Sequence, residues 1–413
     1  MTRSPFKSYL VALALLLWTG AVAVCAFVVI VDPYGLYGVV RRDNFNAVKP
    51  GLTRYQSQIK HEHALRLRPQ FIILGNSRAE IGFDPRAGAF SGHGGAGYNL
   101  AIPGTGLATS ARQFAQLVQA GVKPRTVIVG MEFIDFLNPA AAQPARPVTA
   151  AAPPAHGGAY WRFDALFSLA TLRDAAHTLR IQHDGEAATI SADGYNPLLE
   201  YGAHVRQDGY HKLFTQRAQE NAASFRKKST RGLANEDFQA LRAFLLAMAA
   251  TQADIRLVIY PYHAQLLAMV EAAGLWPLFE QWKTRLVREV GMVKEQYPAA
   301  RLTLADFSGF GVYNCERIPA AAERGAATRW YWEAGHFKKA LGDIVLQRVM
   351  RQNTLADGRF GMALDGATLA ANRDRIAAER VACAAAQPGL FLSSRQLFAA
   401  RRSRFKESGV QGE

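Results

Sequence analysis

The chain has 413 residues, enough for one large hydrophobic core or two smaller ones. With 49% apolar and 20% charged residues it is a folding chain and not a disordered one. A formal net charge of +15 points to an anionic partner, which leaves nucleic acid, anionic lipid and acidic polysaccharide to be separated by location.

The N-terminus addresses location. Tyr9 to Val31 is apolar and carries no charge, close to the roughly 20 residues a helix needs to cross a bilayer. A cleaved signal has a shorter apolar centre, about 7–15 residues, followed by a small-residue site. Ala21-Val22-Ala23 offers such a site, so cleavage is the alternative to retention. Arg3 and Lys7 precede the run and favour a cytoplasmic N-terminus, although Arg41 and Arg42 beyond it weaken the bias. Residues 1–40 read as a signal anchor in an inner membrane, with the bulk of the chain in the periplasm. That location sets nucleic acid aside. Cys25 belongs to the apolar run. Cys315 and Cys383 remain, either paired in an oxidising compartment or as two separate thiols.

Asp32-Pro33-Tyr34-Gly35 breaks the first helix, and a polar connector leads to a helical stretch over Gln56–Leu67. Short apolar runs then alternate with helical patterns, the mark of a parallel sheet with crossover helices. The predicted strands are Phe71–Leu74, Tyr98–Ile102, Thr126–Met131, Ile255–Tyr260 and Leu302–Leu304. Helices are predicted over Leu107–Ala120, Glu236–Ala250, Trp276–Gln296 and His336–Gln352. The fold class is therefore α/β, a unit over residues 41–352 built on a parallel five-stranded sheet with crossover helices.

Between Met131 and Ile255 lies an insertion of about 120 residues, its body at roughly 138–235. It opens with the Ala/Pro-rich stretch Pro139–Pro154, a flexible or polyproline-like loop by composition. A helical part, Phe163–Ile181, follows, and then the basic residues Lys212, Arg217, Arg226, Lys227, Lys228 and Arg231. Such a run is either a solvated face or a landing surface for an acidic polymer or lipid headgroups. Residues 353–413 read as a helical appendage with a basic tail. Gly92 to Gly97 matches GxGxxG but precedes a strand, whereas a dinucleotide site needs strand, glycines, then helix; it reads as a loop. With no metal-ligand spacing such as H-E-x-x-H and no phosphate loop, neither a metal nor a cofactor is expected.

The chemistry concentrates at strand ends. Ligands of open parallel sheets bind at the carboxyl ends of the strands, where Ser77, the Pro103-Gly104 turn and the Gly130–Asp135 segment all fall. A serine after a strand is commonly a helix N-cap. As a nucleophile it needs a base, most often histidine, and the histidine needs a carboxylate to fix its tautomer. Trp332-Glu333-Ala334-Gly335-His336 offers both, with His336 as base and Glu333 as its orienter. An oxyanion needs donors aimed at it: the backbone N–H groups of Ser77 and Gly104, with Arg78 or Asn99 as side-chain candidates. Tyr262, His263 and Asp135 are placed to contact substrate from neighbouring strand ends.

These blocks resemble the SGNH/GDSL-like hydrolases, in particular the membrane-anchored branch associated with bacterial exopolysaccharide and cell-wall O-acylation. Gly75-Asn76-Ser77-Arg78 matches the nucleophile block, Tyr98 to Gly104 the second block, and Glu333 with His336 the final D-x-x-H block. Tyr260-Pro261-Tyr262-His263 and Asp306-Phe307-Ser308-Gly309 are similar to that branch too. The likeness covers residues 68–352 apart from much of the insertion. It implies a flavodoxin-like three-layer fold and an extracytoplasmic serine esterase or O-acyltransferase acting on acetyl esters of a polysaccharide, with a membrane-bound O-acyltransferase as a partner. The alternative function is a non-catalytic glycan-binding component of an export or modification complex. Two departures narrow the reading. Gly130-Met131-Glu132-Phe133 stands where the family has Gly-x-Asn-Asp, removing a donor worth roughly 3–4 kcal/mol in a comparable hydrolase. Glutamate also replaces the usual aspartate, adding one methylene.

Overall fold

Apolar runs with no polar alternation predict strands covered on both faces, and the sheet is built that way. The structure is a computed structural model that describes residues 5–91, 94–140, 160–351, 355 and 360–407. Its central sheet has strands β1 (Phe71–Leu74), β2 (Gly97–Asn99), β3 (Thr126–Met131), β4 (Asp254–Ile259), β5 (Leu302–Asp306) and β6 (Met362–Ala363). All four residues of β1 are buried, as are five of the six in β4. The order is β6-β5-β4-β3-β1-β2. The first five strands run parallel, with Ile72 opposite both Tyr98 and Val127. The short β6 pairs antiparallel to β5, Met362 opposite Asp306.

Such an order reverses direction between β1 and β3, the switch point at which open α/β sheets bind ligands. Helices Leu107–Gln119, Asn235–Ala249 and Trp276–Gln296 connect successive strands and pack side by side. Right-handed crossovers put all three on one face. Helix Lys339–Met350 instead packs against the short helix Ser77–Gly82.

Four boundaries differ from expectation, each for a local reason. The sheet has a sixth strand, because the chain returns past β5 after residue 360. Strand β2 ends at Asn99, yet Leu100 N–H still donates to Ile73 O (2.8 Å) and Ile102 N–H to Gly75 O (3.0 Å), so the chain follows β1 to its end. Residues 336–337 are not helical; they pair with Tyr331–Glu333 in a hairpin, and the helix starts at Lys339. The segment between β3 and β4 is also ordered within the described residues. Strand Leu137–Pro139 pairs with Lys228–Leu233, helices Tyr160–Phe167, Leu169–Arg180 and Tyr201–Arg226 lie between them, and Thr189–Ile190 pairs with Lys49–Pro50. The Ala/Pro-rich stretch from residue 141 lies outside the described residues, as do Gly92, His93 and the last six residues.

The N-terminal helix Pro5–Val31 is long and apolar enough for a membrane anchor or a signal sequence. Its final turn packs on the inserted helices, Val28 and Val31 against Ala175. The C-terminal helices Leu369–Ala386 and Pro388–Glu407 dock on the domain. Asn372 Nδ2 donates to Asp306 Oδ2 (2.7 Å), and Cys315 is disulfide-bonded to Cys383.

Candidate active site

Gly75 makes the turn after β1 because nothing else fits: its φ is +146°, and a Cβ there would lie 2.5 Å from the Tyr260 hydroxyl and 3.0 Å from Ala79 Cβ. Asn76 follows as the N-cap, its Oδ1 accepting from the Arg78 N–H at 3.0 Å. The cap is thus Asn76 and not Ser77. Ser77, as the first helical residue, keeps an N–H with no intrahelical acceptor and a side chain free to act.

That side chain meets the histidine. Ser77 Oγ lies 2.8 Å from His336 Nε2, and His336 Nδ1 is hydrogen-bonded to Glu333 Oε1. A carboxylate only accepts, so Nδ1 carries the proton and Nε2 is left to accept from the serine hydroxyl. The hairpin delivers both residues, with Glu333 opposite His336 across the Ala334-Gly335 turn. The Gly335 N–H donates to Glu333 Oε2 at 2.6 Å. Glu333 is 1% exposed. Burial alone would raise its pKa, but the His336 imidazole, the Arg217 guanidinium and the Gly335 N–H together hold it below the usual carboxylate range. Ser77 itself is partly exposed, so its hydroxyl is reachable from solvent.

Arg217 was not foreseen in this role. It comes from the inserted helix Tyr201–Arg226, and its Nε lies 3.2 Å from Glu333 Oε2. The sequence shows it only as one cation in a basic run, and no local signal marks it as different. The rest of that run is largely engaged elsewhere. Lys212 pairs with Asp208, Arg226 bonds Leu397 O and covers the Phe398 ring, and Lys228 donates to Leu137 O at 3.2 Å. Each of these three therefore has a partner within the chain.

Residues 102–105 form a type II turn next to the Gly75 turn, to which Ile102 N–H is bonded. Pro103 and Gly104 occupy its centre, Gly104 with φ +70°, and Thr105 N–H reaches Ile102 O at 3.4 Å. Glycine is required there, and its exposed N–H has no acceptor among the described residues. Ser77 and Gly104 therefore retain the two backbone donors expected of them.

Both side-chain candidates for an oxyanion hole are committed elsewhere. Asn99 is fully buried; its Nδ2 donates to Ala79 O and Phe83 O, both at 2.8 Å, and its Oδ1 accepts from Ala101 N–H at 3.0 Å. It clamps the nucleophile helix to β2. Arg78 is ion-paired with Glu132 and lies over the Tyr262 ring at 5.3 Å. Glu132 occupies the third-block position and acts as an acceptor, binding Arg78, Asn76 Nδ2 (3.1 Å) and the Tyr262 hydroxyl (3.1 Å). Where the resemblance leads one to expect a donor, this buried acceptor holds the Gly75–Ser77 turn from behind.

Two of the expected substrate contacts are structural. Tyr262 is 3% exposed, and its hydroxyl accepts from Phe133 N–H at 3.2 Å while donating to Glu132. His263 is fully buried, and burial pushes its pKa down to about 4. Its Nδ1 accepts from Gln265 N–H, capping the following helix, and its Nε2 donates to Glu316 O at 2.9 Å. The Glu316 carboxylate in turn accepts from the N–H groups of Trp330 and Tyr331, steadying the strand that leads to Glu333. His263 thus acts by supporting the hairpin.

Asp135 stays at the site. With Gly75, Asn76, Thr105, Gly106 and Glu132 it lines a narrow pocket beside the nucleophile turn. Burial, and then the nearby Glu132 carboxylate, pushes its carboxyl up to about 7 against the pull of Arg78 and Lys228.

Below the site, Lys60 and Glu80 form a buried pair at 2.7 Å, and Lys60 also donates to Ala101 O at 2.7 Å. One ammonium thereby ties the nucleophile helix to the second block. Comparison of the chain with protein-family models, curated proteins and solved structures finds no match.

Proposed function

We propose that the protein is a membrane-anchored, extracytoplasmic serine esterase or O-acyltransferase that carries an acyl group, acetyl in the first instance, on Ser77. The observation that supports this best is the Glu333–His336–Ser77 relay at a partly exposed nucleophile, on the rim beside the sheet's switch point.

In this reading Ser77 Oγ attacks the ester carbonyl while His336 Nε2 takes its proton. Glu333, held ionised by its neighbours, orients the ring and stabilises the imidazolium. The Ser77 and Gly104 N–H groups receive the oxyanion. As the intermediate collapses, the ester C–O bond breaks and the leaving alkoxide takes the proton from His336. Water, in an esterase, or a sugar hydroxyl, in a transferase, then gives its proton to His336 and attacks the acyl carbonyl; the bond from the acyl carbon to Ser77 Oγ breaks, and Oγ takes the proton back from His336. With Glu132 in place of a third donor, the oxyanion site is weaker than in a fast general lipase. That suits slow turnover on a retained, activated acyl donor.

The proposed substrate is an O-acylated bacterial polysaccharide, on the resemblance of the sequence blocks and on the anchor reading of Pro5–Val31. A membrane-bound O-acyltransferase as acyl donor belongs to the same proposal. A fluorophosphonate probe tests the nucleophile. Mass spectrometry of the labelled chain is expected to place the adduct on Ser77. An intact, folded chain that takes up no probe at Ser77 would favour the non-catalytic, glycan-binding alternative.

A further inference from the structure

The apolar helix is longer than a bilayer requires. Its 27 residues extend roughly 40 Å, against a hydrocarbon core of about 30 Å. From Phe6 to Ala23 every residue is exposed, and cover by other parts of the chain begins at Val24. At about 1.5 Å per residue that exposed stretch alone nearly fills the hydrocarbon core. The edge of the core then falls close to Val24.

At that level the helix meets the inserted helices Tyr160–Phe167 and Leu169–Arg180. Leu166 and Leu179 pack beside Val28 and Val31. The first inserted helix has two apolar faces. Trp161 and Ala165 are buried against Tyr34, Leu36 and Ile59. Phe163 and Phe167, one turn apart, face outward at 59% and 44% exposure with their rings 4.6 Å apart. Leu169 continues this edge at 65% exposure. The acid on the helix, Asp164, is ion-paired with Arg54 (3.4 Å) and accepts a hydrogen bond from the Tyr55 hydroxyl (2.7 Å), so no free carboxylate interrupts the edge.

We propose that the Phe163–Phe167–Leu169 edge lies in the interfacial layer of the bilayer that holds the apolar helix, so that the insertion docks on a phospholipid surface. Continuity selects this occupant, since the helix that carries the edge packs through Leu166 on the last turns of the anchor, just beyond the point where it passes from exposed to covered. Aromatic side chains favour headgroup depth, and an apolar helix face laid along the boundary buries its rings without crossing. The anchor together with this second contact fixes the rotation of the domain about the anchor, which a single helix leaves free. The inference rests on the reading of Pro5–Val31 as a retained anchor.

Photo-crosslinking of the full chain in phospholipid vesicles tests it. Benzoylphenylalanine is placed singly at Leu16, Phe163, Phe167 or Val381, the last exposed on the C-terminal helix Leu369–Ala386, which is tied to β5 through Asn372 and Asp306. Melting temperature checks that each variant is folded. Lipid adducts are expected at 16, 163 and 167, with the signal lost at 381. Adducts at 16 but not at 163 and 167 would overturn the docking inference and leave the anchor standing. Adducts at 163 and 167 to a second copy or another protein would overturn it as well. A folded chain with no lipid adduct at 16 would remove the anchor and the inference together.

Discussion

Arg217 Nε sits 3.2 Å from Glu333 Oε2, so a residue of the inserted helix holds the carboxylate that orients His336. Arg217 helps keep Glu333 below its ordinary pKa. An acid whose folded pKa is depressed contributes stability and charge above its unfolded pKa, near 4.5, and loses them as pH falls through the folded value. Arg217→Ala removes one of the groups that lower it. The acid-side fall in activity is expected to move to higher pH, with kcat reduced roughly tenfold at neutral pH. Arg217→Lys, which keeps the charge, is expected to restore the profile. A uniformly lower profile with the acid limb unmoved would assign Arg217 a packing role only.

Asp135 has the opposite sign. Its folded pKa of about 7 lies above the unfolded value near 4. The folded state therefore holds the extra proton between those values, and stability declines as pH rises through that window. Asp135→Asn is expected to flatten the dependence and to stabilise the protein at pH 8 by roughly 1–3 kcal/mol. Urea unfolding at pH 5 and pH 8 measures this. Parallel pH profiles for the parent and the variant would contradict it.

The buried Lys60–Glu80 pair joins the nucleophile helix to the second block. Removing one partner leaves an uncompensated charge, so Lys60→Ala is expected to cost about 3–5 kcal/mol. Lys60→Met combined with Glu80→Leu is expected to recover at least half of that loss, since the apolar pair strands no charge. Equal loss in the single and double variants would show that the contact to Ala101 O dominates.

Much of this was legible in the sequence, and for physical reasons. Continuous apolar runs such as Phe71–Leu74 and Thr126–Met131 mark doubly covered strands, and both were found at the expected residues. The meeting of Ser77, Glu333 and His336 was legible because a relay of this kind uses those three residue types at strand and loop ends, and the fold brings them into hydrogen-bond contact. Local pattern could not show where side chains spend their hydrogen bonds. Asn99 and Tyr262 lie next to the site in sequence yet turn inward, because buried backbone groups and Glu132 need partners. Arg217 was invisible for the converse reason: it is an ordinary helix cation until the fold folds it onto Glu333. His336 was expected at a helix start because its apolar neighbours fit a helical period. The Ala334-Gly335 turn closes a hairpin there first.

The most direct measurement is p-nitrophenyl acetate turnover by the full chain and by its Ser77→Ala and His336→Ala variants, each shown to be folded. The 2.8 Å contact between Ser77 Oγ and His336 Nε2 makes the two residues one unit, so each loss should be about as large as both together. The expected result is a fall of about 10³-fold or more in kcat in each single variant and no further fall in the double variant. Turnover that persists unchanged in both single variants would contradict the account.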